Sequence, residues 1–193
     1  MQHILAYAGE MLPWMLLALP VWLVVRFLWL RRKREFISWP REVLLLCFVL
    51  FCVGLASQTV MPGLYLDESG RTRAVTVFSV GWEGRFNGLN LVPFRTIGQY
   101  FMRGNGALFI INILGNIGMF APIGFFPPLL WRRWRKWYKT ALLGAATSCL
   151  IECLQVFIFR SVDIDDVILN TLGTLAGYGC FALLRRVGRF ARE

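Results

Sequence analysis

The stretch that decides the fold is residues 160–177, which reads RSVDIDDVILNTLGTLAG. Three aspartates, Asp163, Asp165 and Asp166, lead into an apolar segment that carries Asn170. An aspartate just before an apolar run is a typical N-cap, and the helix dipole favours carboxylates in the first turn. The pattern therefore predicts a helix with polar groups at its start, and the three-residue spacing from Asp163 to Asp166 is that of a capping box.

Composition places this helix in a membrane. Hydrophobic residues make up 57% of the 193 positions, in several runs near the ~20 residues that cross a bilayer. The runs predict five membrane-spanning helices, at about 12–30, 43–60, 107–130, 140–159 and 167–184. The predicted fold class is an all-α integral membrane protein with five transmembrane helices.

The basic residues predict the orientation of these helices. Fourteen of the 21 Lys and Arg residues fall in the three blocks 31–41, 132–139 and 185–192. Because cytoplasmic loops carry an excess of Lys and Arg, the blocks predict an N-terminus outside and a cytoplasmic C-terminus. The same distribution argues against nucleic acid as a partner, despite a net charge of +10.

The predicted organisation has four parts. Residues 1–60 hold two transmembrane helices, 61–106 form one long extracellular loop, 107–184 form a three-helix core, and 185–193 are a basic cytoplasmic tail. In the loop, the β-branched character of residues 74–78 predicts a strand, as part of a hairpin. An ordered loop of this length is usually functional or packed on another element.

Polar residues in three predicted spans lie at similar depths. A rise of about 1.5 Å per residue puts each of them roughly 6–14 Å from the outer end of its span. They are Asn112, Asn116, Glu152, Gln155 and Asn170. Because an ionised Glu152 is costly in lipid, we expect it to face the bundle interior, either paired or protonated. Arg95 and Arg160 are the cations predicted near this level.

A purely structural interpretation stands beside the functional one. The asparagines can form interhelical hydrogen bonds, and Gly173 with Gly177 has the small-xxx-small spacing of closely packed helices. Asp163 can act as a helix cap alone. Glu152 is the hardest residue to explain in this way, because a carboxylate inside a membrane usually has a function.

The sequence carries no motif for a metal or cofactor. The five cysteines lie inside apolar runs and the only histidine is His3, so neither a Cys/His zinc pattern nor a disulfide frame is present. We therefore predict no cofactor and no metal.

An ordered set of motifs resembles the VanZ-like family of membrane proteins. The likeness covers roughly residues 90–177. Its elements are NLVPF at 90–94 before a short helix, Asn112 and Asn116 before FAPIG at 120–124, Glu152 with Gln155, and the stretch from Arg160 to Gly173. The resemblance implies a multi-pass protein of the bacterial cytoplasmic membrane, associated with reduced susceptibility to teicoplanin and related lipoglycopeptide antibiotics. It implies no particular reaction.

The function we favour from the sequence is an outward-facing polar pocket. It would bind the phosphate of a membrane lipid or of a lipid-linked cell-wall precursor, because an arginine pairs with phosphate oxygens through two parallel hydrogen bonds. The ten candidate binding residues are Arg95, Asn112, Asn116, Glu152, Gln155, Arg160, Asp163, Asp165, Asp166 and Asn170. A glycopeptide antibiotic is a further candidate partner.

Two other functions remain open. In one, the carboxylates serve an enzyme acting on a lipid-linked substrate, as acid and base groups or as ligands of a divalent cation. We favour a binding protein over an enzyme because no nucleophile with an adjacent base stands out. In the other, the polar residues only hold the helices together, and the loop 61–106 recruits another envelope protein.

Overall fold

The computed structural model describes residues 2–33, 38–60, 64–66, 72–74, 89–102, 106–158 and 160–190. The chain divides into two compact units, residues 1–59 and 60–193. Among these described residues, five helices are long and apolar enough to cross a membrane, which confirms the predicted all-α membrane class. The orientation derived from the basic blocks stays a prediction.

The N-terminal unit is a pair of long helices. α1 (Gln2–Lys33) packs against α2 (Trp39–Thr59). A charged pair joins them, because Nε and Nη2 of Arg26 each donate to one carboxylate oxygen of Glu42, both at 2.6 Å. The Arg26 guanidinium also lies 4.3 Å from the ring centre of Trp29. This bidentate geometry is the strong form of an Arg–carboxylate contact, and it connects the C-terminal part of α1 to the start of α2.

Four helices form most of the C-terminal unit. They are α3 (Arg95–Met102), α4 (Gly106–Leu130), α5 (Trp137–Phe157) and α6 (Ile164–Phe190). A short 3₁₀ helix at Arg132–Trp134 connects α4 to α5, and α6 packs against both of them. α4 and α5 lie close to the predicted spans, whereas α6 extends beyond its predicted span at both ends.

Glycines allow α6 to approach α4 closely. A Cβ built at Gly177 would overlap the backbone of Ala121, and one at Gly173 would overlap the backbone of Ile117. Lipid tails are as apolar as helix side chains, so helices in a membrane associate largely through van der Waals contact. The small-xxx-small spacing noted in the sequence is therefore the place where these two backbones touch.

The C-terminal unit also contains a hairpin of two short strands. β1 (Leu64–Leu66) pairs antiparallel with β2 (Thr72–Ala74). The strand predicted at 74–78 begins where β2 ends, and residues 75–78 lie outside the described part of the chain.

A second strand pair connects distant parts of this unit. β3 (Leu89–Asn90) runs parallel to β4 (Val162–Asp163), with Asn90 opposite Asp163. Parallel strands need a long crossover connection, and here it contains α3, α4 and α5. After β3 the chain turns through Phe94, whose φ of 64° is left-handed, and enters α3. The pair thus brings the start of α3 to the start of α6.

Candidate functional site

Asp163 joins three segments of the chain through its carboxylate. Oδ1 accepts a hydrogen bond of 3.0 Å from Asn90 Nδ2, and Oδ2 accepts one from the hydroxyl of Thr96. Oδ1 also accepts the backbone N–H of Asp165 at 2.9 Å, which is the N-cap geometry predicted for the start of α6. The Thr96 hydroxyl accepts from Asn90 Nδ2 at 3.0 Å, which closes a ring of three side chains. Asp163 therefore holds β3, α3 and α6 together.

Asp165 caps α3 although it belongs to another helix. Its carboxylate accepts the backbone N–H groups of Phe94, Thr96 and Ile97 at 2.5, 2.8 and 3.0 Å. N–H groups at the start of a helix have no partner within the helix, so an outside carboxylate satisfies them. Only 1% of Asp165 is exposed, and the three donors replace the water that the carboxylate loses on burial. The start of α3 is therefore fixed to the start of α6.

Glu152 reaches the same place from α5. Its Oε2 accepts the backbone N–H of Asp163 at 2.9 Å. The sequence spacing predicts that Asp166 would bond this N–H as the second half of a capping box; that prediction is wrong, because Glu152 takes the position. Glu152 lies inside the bundle and is 6% exposed, whereas Arg160 is exposed. We call Glu152, Asp163, Asp165 and Asp166 the polar cluster.

Two further hydrogen bonds connect the long helices at and beyond this level. Asn116 Nδ2 of α4 donates to Asp166 Oδ1 of α6 at 2.7 Å. One turn further along α6, Asn170 Nδ2 donates to the hydroxyl of Ser148 in α5 at 2.8 Å. The carbonyl oxygen of the Asn170 side chain is buried and has no donor within the described residues. These contacts are of the interhelical kind considered for the asparagines.

The remaining candidates are two arginines, Gln155 and Asn112. Arg95 is the first residue of α3, and its exposed side chain has no partner among the described residues. Arg160 is also exposed, and its backbone N–H donates to the carbonyl oxygen of Gln155 at 3.1 Å. The Gln155 residue is half-buried at the end of α5. Asn112 lies in α4, and its side chain is outside the described part of the chain.

Three residues that take part in these hydrogen bonds are not among the ten candidates predicted from the sequence. They are Asn90, Ser148 and Thr96. Asn90 had a local signal, since its Oδ1 accepts the N–H of Val92 at 3.3 Å in the kind of turn that Asn favours. Ser148 lies four residues before Glu152 and extends its polar stripe by one helical turn. Thr96 has no such signal, because it bonds Asp163 across 67 positions of sequence.

The site separates its charges by depth. Asp165 and Glu152 are buried and bonded to N–H groups, whereas Arg95 and Arg160 are exposed. In the part of the chain that the structure describes, no group of three His, Cys, Asp or Glu side chains is placed to hold a metal ion. Asp163 and Asp166 are half-buried, so the exposed charges of the site are those of the two arginines, which suit an anion with oxygen acceptors.

Comparison with known proteins places the chain. No curated protein and no solved structure matches it. A model of the VanZ/LLP1 family matches residues 43–185, which is well over half of the chain. The match begins in α2 and includes the whole polar cluster, so it extends beyond the likeness seen at 90–177. The chain therefore belongs to the VanZ/LLP1 family, as its motifs predicted.

Proposed function

We propose that this protein binds the phosphate of a membrane lipid or of a lipid-linked cell-wall precursor at the outer surface of the bacterial cytoplasmic membrane. Arg95 and Arg160 are the residues that would bind it. The observation that carries the proposal is the separation of charge, since Asp165 and Glu152 are 1% and 6% exposed while both arginines are exposed. A guanidinium offers two parallel N–H groups to phosphate oxygens, which makes Arg the suited residue.

Hydrogen bonds fix the backbone at both arginines. Phe94 and Thr96, on either side of Arg95, donate their N–H groups to Asp165. Arg160 donates its N–H to the end of α5, and β4 begins two residues later in its pairing with β3. A binding residue on a fixed backbone loses less conformational entropy when it closes on a ligand. The buried carboxylates would thus position the arginines, and the arginines would bind the ligand.

The surroundings of Arg95 favour an amphiphilic ligand over a soluble phosphate ester. Leu91, Val92 and Phe94, just before this arginine, are each more than half exposed. Apolar side chains exposed together usually mark a contact with a membrane or another apolar partner. A lipid-linked phosphate would satisfy the arginines and the apolar residues at once.

This binding would connect the chain to the phenotype associated with its family. A lipophilic glycopeptide meets lipids and cell-wall precursors at the outer face of the membrane. Occupying or displacing a phosphate-bearing lipid there would change what the antibiotic encounters. We therefore propose reduced susceptibility to teicoplanin and related lipoglycopeptides as the physiological result.

Binding of a short-chain isoprenyl diphosphate, compared with the matching isoprenol, tests the proposal on purified protein. We expect the diphosphate to bind wild type tightly, and Arg95→Gln or Arg160→Gln to weaken binding by roughly tenfold or more, because each removes a charge-assisted hydrogen bond. Arg132→Gln is the control, since it removes an exposed charge after the far end of α4. Equal binding of the alcohol, or undiminished binding by both arginine variants, would contradict the proposal.

A further inference from the structure

The end of α6 far from the polar cluster carries a cavity of its own. The cavity has a volume of about 160 Å³, is open at the surface, and is lined by Tyr178, Phe181, Ala182, Arg185 and Arg186. These positions have helical spacing, so they form one face of α6. At about 1.5 Å per residue, Arg185 lies roughly 30 Å along the helix from Asp165. The cavity is therefore separate from the site proposed above.

The lining changes from aromatic to cationic along this face. Phe181 is buried, whereas Arg185 and Arg186 are exposed. Neither of these arginines has a carboxylate partner among the described residues. Two adjacent cations beside an apolar wall favour a ligand that has both an anionic group and an apolar part.

The connection between α4 and α5 lies beside the same face. The hydroxyl of Tyr178 donates to the carbonyl oxygen of Arg135 at 2.8 Å, while Nε of Arg135 donates to the carbonyl oxygen of Pro128 at 3.2 Å. Trp137 and Tyr138, at the start of α5, are exposed. Trp and Tyr are enriched at the level of lipid headgroups. This end of the unit therefore has the composition of a membrane interface.

We propose that the cavity binds the phosphate headgroup of an anionic phospholipid. Arg185 and Arg186 contact the phosphate, and the aromatic lining lies against the glycerol and the start of an acyl chain. Basic pockets at the ends of membrane helices recognise acidic headgroups in this way. A lipid fits better than a soluble anion because Leu183, Leu184 and Val187, next to the arginines, are exposed at the end of a helix apolar enough to cross a membrane.

Native mass spectrometry of the purified protein, titrated with phosphatidylglycerol or phosphatidylcholine, tests this site. We expect wild type to prefer phosphatidylglycerol. The double variant Arg185→Gln/Arg186→Gln should lose roughly tenfold or more of that affinity, since two juxtaposed cations are removed. Arg132→Gln/Arg133→Gln removes the same charge from exposed positions outside the cavity and should cost about threefold at most.

A third variant separates the cavity from the charge. Ala182→Met fills part of the space and leaves both arginines in place, so it should also weaken phosphatidylglycerol binding. Unchanged affinity in this variant would put the lipid outside the cavity and overturn the proposal. Equal losses in the two double variants would overturn it as well, because the attraction would then be general. Displacement of phosphatidylglycerol by free glycerol phosphate at an equal concentration would also overturn the proposal, since the ligand would then be a soluble anion.

Discussion

The glycine contacts of α6 and the polar cluster at its start hold the same helices together by different physics. At Gly177 and Gly173 two backbones touch, and any added carbon overlaps the partner helix. In the polar cluster, carboxylates accept backbone N–H groups from segments far away in sequence. The first contact depends on shape, and the second depends on the number of acceptors. Substitutions at the two places should therefore have different effects. Comparing those effects distinguishes a loss of folding from a loss of function.

Gly177→Leu should have the largest effect of the changes considered. The Cβ would meet backbone atoms of Ala121, which cannot move aside like the end of a side chain. We expect membrane abundance to fall roughly tenfold, because overpacking against a rigid neighbour costs several kcal/mol. Gly179→Leu is the matched control on the same helix, since a Cβ there meets nothing within 4 Å. Quantitative immunoblotting of membrane fractions measures both, and equal abundance would rule out the packing explanation.

Asp165→Asn should come next, with a loss of about 2–4 kcal/mol in the free energy of unfolding. An amide offers one acceptor oxygen in place of two and turns N–H groups towards backbone donors. Hydrogen–deuterium exchange in detergent should show faster exchange at residues 94–97, whose N–H groups include the three that Asp165 accepts.

Asp166→Asn is the control for that experiment. Its described partner is the amide of Asn116, to which an asparagine oxygen still offers an acceptor. We expect a loss of about 1 kcal/mol or less. Unchanged exchange at 94–97 in Asp165→Asn, or the same increase in both variants, would show that Asp165 does not cap α3.

Glu152→Gln should lower stability less than Asp165→Asn does. Its main effect should be on the affinity for the ligand. Glutamine keeps an oxygen for the N–H of Asp163 but can no longer carry a negative charge. We expect a thermal unfolding midpoint close to that of wild type and a several-fold weaker affinity for the isoprenyl diphosphate. Glu152→Ala, which also removes the hydrogen bond, should lower the midpoint clearly. If both variants lower the unfolding midpoint by the same amount, the negative charge of Glu152, and not its hydrogen bond, stabilises the position of Asp163.

The membrane helices could be predicted from the sequence because each is a continuous apolar run. The spacing of Gly173 and Gly177 indicated a close helix contact, since small residues four apart share one helix face, and the fold identifies α4 as the partner. Such features are local, and a local pattern is enough to identify them.

The pairing within the polar cluster could not be predicted in the same way. The hydroxyl of Thr96 bonds Asp163 only in the folded protein, because two long helices lie between the two residues in the sequence. The predicted capping box failed because a tertiary partner, Glu152, satisfies the N–H that local spacing assigned to Asp166. The residue types of this end were visible in the sequence, but their division into buried acceptors and exposed cations required the fold.

The central claim is that buried carboxylates hold this end of the protein while exposed arginines bind its ligand. Teicoplanin susceptibility of a sensitive Gram-positive host tests it most directly, with wild type, Arg95→Gln, Arg160→Gln and Arg132→Gln expressed and membrane abundance measured in the same cells. Surface substitutions usually change stability by about 0.5 kcal/mol or less, so abundance should not change. We predict protection by wild type and Arg132→Gln, and its loss in Arg95→Gln and Arg160→Gln. Protection that survives both arginine changes, or that falls only as abundance falls, would contradict the claim and favour a scaffold.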